Sequence, residues 1–156
     1  QEYPIKDYLF VARNAYVRLT TDRKFTCPAR RAARLLAAPG AAGAWRYLFT
    51  HAVQNNPLYT SNGAFHGIEL NYIFDHLQSL TYIPSAGEKI IRDRMISYWG
   101  SLAAIGDPNN GYIQKWPAYT AADPYIWFED PIEILGGVRT AKCDFWDSID
   151  AAGDEY

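Results

Sequence analysis

The stretch that decides the fold is Gly63-Ala64-Phe65-His66-Gly67-Ile68-Glu69-Leu70. It follows a polar segment, residues 54–63, whose Asn, Pro, Ser and Gly residues predict a loop. Before that loop, the short aromatic segment 44–51 predicts a partly buried strand, and residues 68–74 favour a helix. His66 is therefore expected on a loop between a strand and a helix, where a rigid scaffold commonly presents functional side chains.

Two helices are expected at the start of the chain. The apolar side chains of residues 1–21 are spaced as in one helix. Residues 26–36 predict a second helix, with Pro28 near its first turn and a stop at the following Pro-Gly pair. We expect this second helix to pack through Leu35 and Leu36.

Further helices and one strand are expected in the rest of the chain. Ser85-Ala86-Gly87-Glu88 fits a capping box, in which the serine and glutamate side chains satisfy backbone donors at a helix start. The helix that begins there ends at Gly106-Asp107-Pro108. Residues 125–128 predict a short strand, and residues 141–149 predict a last amphipathic helix.

Composition and charge exclude several classes of protein. A chain of 156 residues with 49% hydrophobic and 15% aromatic content predicts a globular domain and not a disordered segment. Its net charge of −2 gives no attraction for nucleic acid or for an anionic membrane surface. No run reaches the ~18 apolar residues that cross a bilayer, so no membrane span is expected. One basic cluster falls on the second predicted helix, where we expect a solvated face: Arg30, Arg31 and Arg34.

The residue pattern contains no complete catalytic machinery. Serine hydrolases of the α/β type need a G-x-S-x-G elbow that exposes the nucleophile, and neither Ser61 nor Ser101 lies between two glycines. The three histidines lack metal-binding spacing, so no metal site is expected. Phosphate loops and dinucleotide fingerprints are also absent from the sequence, so no cofactor is expected.

Single histidines and a pair of cysteines carry little information by themselves. The pattern favours structural roles for His51 and His76, as hydrogen-bonded or exposed side chains. Cys27 and Cys143 are compatible either with a disulfide or with two buried thiols, and they fit no zinc or iron–sulfur motif.

Several motifs, taken together, point to a known family. The stretch 63–70 reads H-G-x-E, and it precedes the aromatic-rich Tyr72-Ile73-Phe74. Other motifs occur in a fixed order around it: Phe25-Thr26-Cys27-Pro28, Tyr98-Trp99 with Ala103, Gly106-Asp107-Pro108-Asn109, Trp116-Pro117-Ala118-Tyr119 and Cys143-Asp144-Phe145-Trp146. From about residue 20 to 149, this order resembles the type-B carboxylesterases and cholinesterases.

The resemblance implies an α/β fold and an incomplete enzyme. Residues 1–156 would be the C-terminal segment of a single α/β-hydrolase domain, mostly helical with a few strands of the central sheet. In that family the chain order is serine, acidic residue, histidine, so His66 would be the catalytic histidine. The nucleophile and the Asp or Glu acid would lie on an N-terminal portion of the same enzyme, which we expect as a companion chain. The fragment would arise from a nick, a truncation or a split gene.

The resemblance also assigns roles around His66. Gly67 and Glu69 would lie just behind the residues that contact the substrate. Glu69 would hydrogen-bond site residues without being the triad acid. Phe65 and Ile68 would flank the substrate. Cholinesterases carry tyrosine where Ile68 stands, and its ring attracts a quaternary ammonium through its π face. Isoleucine has no such face, which implies a general carboxylesterase that hydrolyses small uncharged esters.

The family joins the positions of Cys27 and Cys143 by a disulfide, which implies a secreted protein. Two other functions remain open. Cholinesterase-like adhesion and binding proteins keep this scaffold and lose the catalytic residues, although His66 favours the esterase. A freestanding module without activity is disfavoured, because so few strands can hardly cover their own edges.

Overall fold

The computed structural model describes residues 2–9, 11–41, 43–77, 82–111 and 113–153. The described residues fall into two compact units. The first is drawn from residues 1–46, 118–124 and 136–156, and the second from residues 47–117 and 125–135. Helices and a small sheet together make a mixed α/β structure, as the sequence predicts; the assignment to one hydrolase domain stays a prediction. Among these residues, no helix is both long and apolar enough to cross a bilayer.

The helices and strands follow one another without a repeat. The helices are α1 Ala12–Thr21, α2 Cys27–Leu36, α3 Pro57–Thr60, α4 Leu70–Ile73, α5 Ala86–Ile105 and α6 Thr140–Ala151. The strands are β1 Tyr47–Phe49, β2 Pro124–Phe128 and β3 Glu133–Gly136. A 3₁₀ turn, Ile5–Tyr8, precedes α1, and a π-helical turn, Asp22–Thr26, lies between α1 and α2.

The first unit begins with an interrupted helix. The expectation of one helix over residues 1–21 is wrong, because Leu9 has a left-handed backbone with φ of 55° that ends the 3₁₀ turn before α1. At the other end, α1 continues through the π-helical turn into α2. Thr26 is itself helical and its side chain makes no capping hydrogen bond, so α2 begins without a side-chain cap.

The buried face of α2 is not the expected one. Leu35 and Leu36 are 75% and 50% exposed, so the expectation that α2 packs through them is wrong. The helix instead buries Cys27, Arg30 and Ala33, three residues apart on one face.

Arg30 is buried because its charge is matched by α6. Its side chain is only 1% exposed, and its Nη2 lies 2.7 Å from carboxylate oxygens of both Asp144 and Asp147. Arg31 and Arg34 also pair with Asp147, at 2.9 and 3.0 Å. The expectation of a solvated basic face is therefore wrong for Arg30, whereas Arg34 is half exposed. These arginines form an ion-pair cluster between two helices.

A disulfide links the same two helices covalently. Cys27 and Cys143 are fully buried and joined by an S–S bond of 2.05 Å, which confirms the pairing implied by the family resemblance. The linked residues are 116 positions apart in the sequence.

A second buried ion pair ties the π-helical turn to the start of α6. Asp22 is 2% exposed, and Arg139 donates to it over 2.6–3.2 Å. The Tyr3 hydroxyl donates to Asp22 at 2.9 Å and accepts from Trp146 Nε1 at 2.9 Å. Burial raises the pKa of Tyr3 to about 12, and the neighbouring Asp22 contributes in the same direction. This network holds the N-terminal segment onto α6.

The sheet lies mainly in the second unit. Within the described residues it has three strands, in the order β1-β2-β3. β1 runs parallel to β2, with Tyr47 opposite Ile126 and Phe49 opposite Phe128. The strand predicted over residues 125–128 is confirmed, whereas the one predicted over residues 44–51 is shorter. β3, with its sequence Glu-Ile-Leu-Gly, has too few β-branched or aromatic residues to be recognised in advance.

α5 begins at the capping box that the sequence predicts, and it packs against β2. Ser85 Oγ accepts from the Glu88 amide at 3.2 Å, and Glu88 Oε2 accepts from the Ser85 amide at 2.7 Å. Gly106 ends the helix with a left-handed backbone. Its buried face includes Tyr98, whose ring meets Trp116 edge-on at 5.3 Å and Phe128 at 6.1 Å. An aromatic core therefore joins α5 to β2.

Loss of the disulfide should lower the stability of the first unit. In the chain-entropy model a loop of this length contributes about 4 to 5 kcal/mol, and often less in practice. We expect the urea midpoint of the Cys27→Ser/Cys143→Ser variant to fall, as measured by far-UV circular dichroism. Reduced wild-type protein is the matched control, and its urea midpoint should fall by the same amount. An unchanged midpoint in both would contradict a stabilising disulfide.

Arg30 and Arg34 should differ sharply in their effect on stability. Arg30→Ala leaves two carboxylates without a buried partner, and we expect a loss of about 2 to 3 kcal/mol, because Asp144 and Asp147 keep some solvent contact. Arg34→Ala removes a half-exposed pair and should cost at most about 1 kcal/mol. Urea unfolding of both variants makes the comparison, and equal losses would disprove the buried role of Arg30.

Candidate functional site

His66 lies on an exposed turn between β1 and α4. The turn is formed by two backbone hydrogen bonds, from the Ile68 amide to the Phe65 carbonyl at 3.1 Å and from the Leu70 amide to the Gly67 carbonyl at 3.2 Å. Gly67 has φ of 89°, a left-handed conformation that costs glycine little and other residues more. The histidine side chain is exposed. The predicted placement of His66, between a strand and a helix, is confirmed.

The neighbours of His66 differ in accessibility. Phe65 is 37% exposed and stacks on Tyr59, with ring centroids 6.1 Å apart. Ile68, by contrast, is 2% exposed and packs into the second unit. The role of both in a substrate pocket stays a prediction, and Phe65 is the more accessible of the two.

Glu69 is half-buried near the start of β1. Burial raises the pKa of Tyr47, and the negative charge of Glu69 raises it further, which puts this carboxylate close to the tyrosine. Glu69 is therefore a partly buried charge next to the turn. Its hydrogen bonding to other site residues stays a prediction.

The structure contains an imidazole–carboxylate pair that the sequence did not reveal. His51 Nδ1 lies 2.6 Å from Glu129 Oε1. Because an ionised carboxylate only accepts, Nδ1 is the donor in this bond. His51 is 1% exposed, and its Nε2 faces Glu88 Oε1 at 3.4 Å without forming a hydrogen bond. No substrate can reach this ring, so the structural role expected for His51 is confirmed.

Glu88 has a second role beyond capping α5. Its side chain is fully buried, and Oε1 accepts from the Tyr82 hydroxyl at 2.5 Å, the Gln54 amide at 3.3 Å and the Tyr72 hydroxyl at 3.4 Å. Burial alone would raise the pKa of Glu88, but the hydrogen bonds from Tyr82, Ser85 and Gln54 outweigh it and hold the pKa below its ordinary value. Glu88 is thus a charged acceptor inside the second unit.

Glu129 behaves in the same way at the end of β2. Burial would raise its pKa, yet hydrogen bonds with His51 and Thr50 hold the pKa below its ordinary value. Thr50 Oγ1 donates to Glu129 at 2.8 Å and accepts from Trp127 Nε1 at 2.6 Å. No pattern in the sequence points to Glu129, because its partners are distant along the chain.

Other parts of the described chain offer less to chemistry. No group of three or more His, Cys, Asp or Glu side chains within those residues is arranged to hold a metal ion. A cavity of about 570 Å³ lies in the first unit, lined in part by Arg30, Arg34 and Asp123, and it contains none of the predicted site residues. Both arginines form ion pairs with Asp147, so the cavity does not offer two unpaired cations to an anionic ligand.

Comparison with known proteins gives a consistent result. Residues 6–146 match the model of the carboxylesterase family. The chain is 32% identical over 108 residues to an acetylcholinesterase of Bungarus fasciatus, covering 65% of this chain. It is 29% identical over 137 residues to an acetylcholinesterase of Gallus gallus, covering 86% of this chain. In both cases the aligned part spans 18% of the relative, so the match is to a small part of a longer protein.

The buried carboxylates should make stability sensitive to acid. A carboxylate with a lowered folded-state pKa stabilises the protein above its unfolded pKa, near 4.5, and that contribution is lost as the pH falls through the folded pKa. We expect Glu88→Gln to lower the urea midpoint at pH 7 and to flatten its dependence on pH between 5 and 3. Glu133→Gln, which removes an exposed carboxylate on β3, is the control. An equal slope in wild type and Glu88→Gln would contradict the assignment.

Proposed function

This chain belongs to the carboxylesterase family, and from that premise we propose that it is the C-terminal part of a serine carboxylesterase of α/β-hydrolase fold. His66 is its catalytic histidine. One observation carries the proposal: the family motif presents an exposed histidine on a glycine-dependent turn directly before α4. His51 is enclosed by carboxylates, and His76, although exposed, lies outside the motif.

The proposed mechanism uses His66 to move protons. As general base, its imidazole takes the proton of a serine hydroxyl while the serine oxygen attacks the ester carbonyl. The imidazolium then protonates the leaving alcohol, and an acyl-enzyme remains. In the second half of the reaction, His66 takes a proton from a water that attacks the acyl-enzyme, and it returns that proton to the serine oxygen as the carboxylic acid leaves. An Asp or Glu of the N-terminal portion orients the other ring nitrogen, and Glu69 hydrogen-bonds site residues without being that acid.

The serine and the acid are supplied by an N-terminal portion of the enzyme. The matched part spans 18% of the acetylcholinesterase relatives, which leaves ample length for both groups and for the remaining strands of the sheet. That portion is a companion chain in our proposal. The Cys27–Cys143 disulfide supports export to an oxidising, extracellular environment.

The proposed substrates are small uncharged carboxylic esters. Ile68 offers no aromatic face for a quaternary ammonium, so the cation–π attraction that a tyrosine would supply is missing at this position. Phe65 is the accessible apolar side chain next to His66. An apolar surface of this kind suits an uncharged acyl or alcohol group.

The proposal predicts that His66 controls esterase activity and labelling by a fluorophosphonate probe. The test uses this chain together with its N-terminal portion, because activity needs both. We expect His66→Ala to lower kcat by about 10⁴-fold or more, as removal of a triad histidine does. His76→Ala is the matched control, and its kcat should stay within about twofold of wild type.

Intact-mass analysis after probe treatment decides between the functions. Labelling of a serine on the N-terminal portion supports the esterase. A companion that is present but unlabelled would instead favour a cholinesterase-like binding protein. A well-folded monomer with no companion would overturn the two-chain arrangement.

A further inference from the structure

We propose that Glu88 is a positioning residue for His66, because one buried carboxylate joins the chain before the histidine to the chain after it. This inference rests on the proposed function. Glu88 contacts neither substrate nor reacting atoms in this scheme. It acts through the two ends of the segment that presents the imidazole.

The segment that carries His66 has little core of its own. Between residues 54 and 66, no described side chain is buried, and α3 is a single turn of four residues. Its internal contacts include the backbone hydrogen bonds of α3 and the turns after it, the Tyr59–Phe65 stack, and Thr60, whose hydroxyl donates to the Val53 carbonyl at 2.5 Å. The position of such an exposed segment, residues 54–66, depends on how its two ends are held.

The N-terminal end of this segment is held by hydrogen bonds to its first backbone amides. The Gln54 amide donates to Glu88 Oε1 at 3.3 Å and also to the Tyr82 hydroxyl at 3.0 Å. The Asn55 amide donates to the same hydroxyl at 3.2 Å, and that hydroxyl donates in turn to Glu88 at 2.5 Å. Two consecutive backbone amides are thereby held, directly or through one tyrosine, by a single carboxylate.

The other end of the segment is held through α4, which follows His66 in the chain. Tyr72 lies on α4, six residues after His66, and it is fully buried. Its hydroxyl donates to the same Glu88 oxygen at 3.4 Å, and its ring lies 6.3 Å edge-on to His51. Because both ends converge on one atom, movement of Glu88 would shift the entry and the exit of the turn together.

The carboxylate is itself held rigidly. Its other oxygen, Oε2, accepts from the Ser85 amide in the capping box, which fixes it to the start of α5. The adjacent end of β1 is fixed by the second carboxylate, Glu129, through Thr50 and His51. The position of the His66 turn therefore depends on hydrogen bonds to the start of α5 and to the end of β2.

Position matters because proton transfer is sensitive to distance. A general base must lie within about 2.6–3.2 Å of the proton it takes. A displacement of about 1 Å can lower the rate 10²-fold even when binding is intact. Loss of the Glu88 contacts should therefore lower kcat and leave KM nearly unchanged.

The experiment measures esterase kinetics on this chain together with its N-terminal portion. We expect Glu88→Ala to lower kcat by about 10- to 100-fold with KM within about twofold of wild type. Glu88→Gln keeps the shape of the side chain and one acceptor oxygen, but it places an NH₂ group among donors. Its kcat should therefore lie between those of wild type and Glu88→Ala. Tyr82→Phe removes only the bridging hydroxyl, and it provides a milder variant if Glu88→Ala fails to fold.

A matched control separates positioning from general loss of stability. Met95→Ala truncates a fully buried side chain further along α5 that takes no part in these hydrogen bonds. At temperatures where both variants are folded, it should keep wild-type kcat despite a lowered urea midpoint. Amide hydrogen exchange on the same samples should accelerate about tenfold in residues 53–73 of Glu88→Gln, with residues 91–105 unchanged.

The outcomes distinguish this inference from the proposed function. If His66→Ala is inactive but Glu88→Gln and Tyr82→Phe keep wild-type kcat and exchange, the positioning role is overturned and the esterase proposal stands. If Met95→Ala loses as much kcat as Glu88→Ala, the effect is only one of stability and the inference is also overturned. If His66→Ala keeps full activity, both proposals fall.

Discussion

The second unit depends on one buried negative charge. A carboxylate removed from water is tolerated only when donors replace its hydration, because an unpaired buried charge is strongly destabilising. Glu88 meets this condition by drawing hydrogen bonds from the capping box, from two tyrosines and from the chain that follows β1. Segments that are far apart in sequence must therefore converge at the start of α5, and the surrounding geometry follows from that requirement.

Local rules explain what the sequence predicts well. The capping box at Ser85, the stop at Gly106 and the strand over residues 125–128 depend on neighbours within a few positions. The same local view fails for α2. Arg30 is buried because Asp144 and Asp147 reach it from α6, more than a hundred residues away, and that proximity turns an apparent solvent face into the packed one.

The candidate site likewise has a part that local sequence predicts and a part that depends on long-range contacts. The motif around His66 correctly predicts an exposed turn, and Gly67 explains it physically, because the positive φ there favours a residue without a Cβ. The pair formed by His51 and Glu129 lay beyond sequence reasoning, since 78 positions separate the partners. Only folding reveals that one histidine faces outward while the other is confined between charges.

The cross-link between α2 and α6 has a topological consequence. Cys27 and Cys143 lie 116 positions apart in a chain of 156 residues, so they enclose most of the sequence, including the whole segment that carries His66. Cleavage of one peptide bond within this ring would open it without releasing a piece. Such a nicked molecule would keep its parts in a single covalent species, and it would separate into two chains only after a reductant had also opened the sulfur bridge.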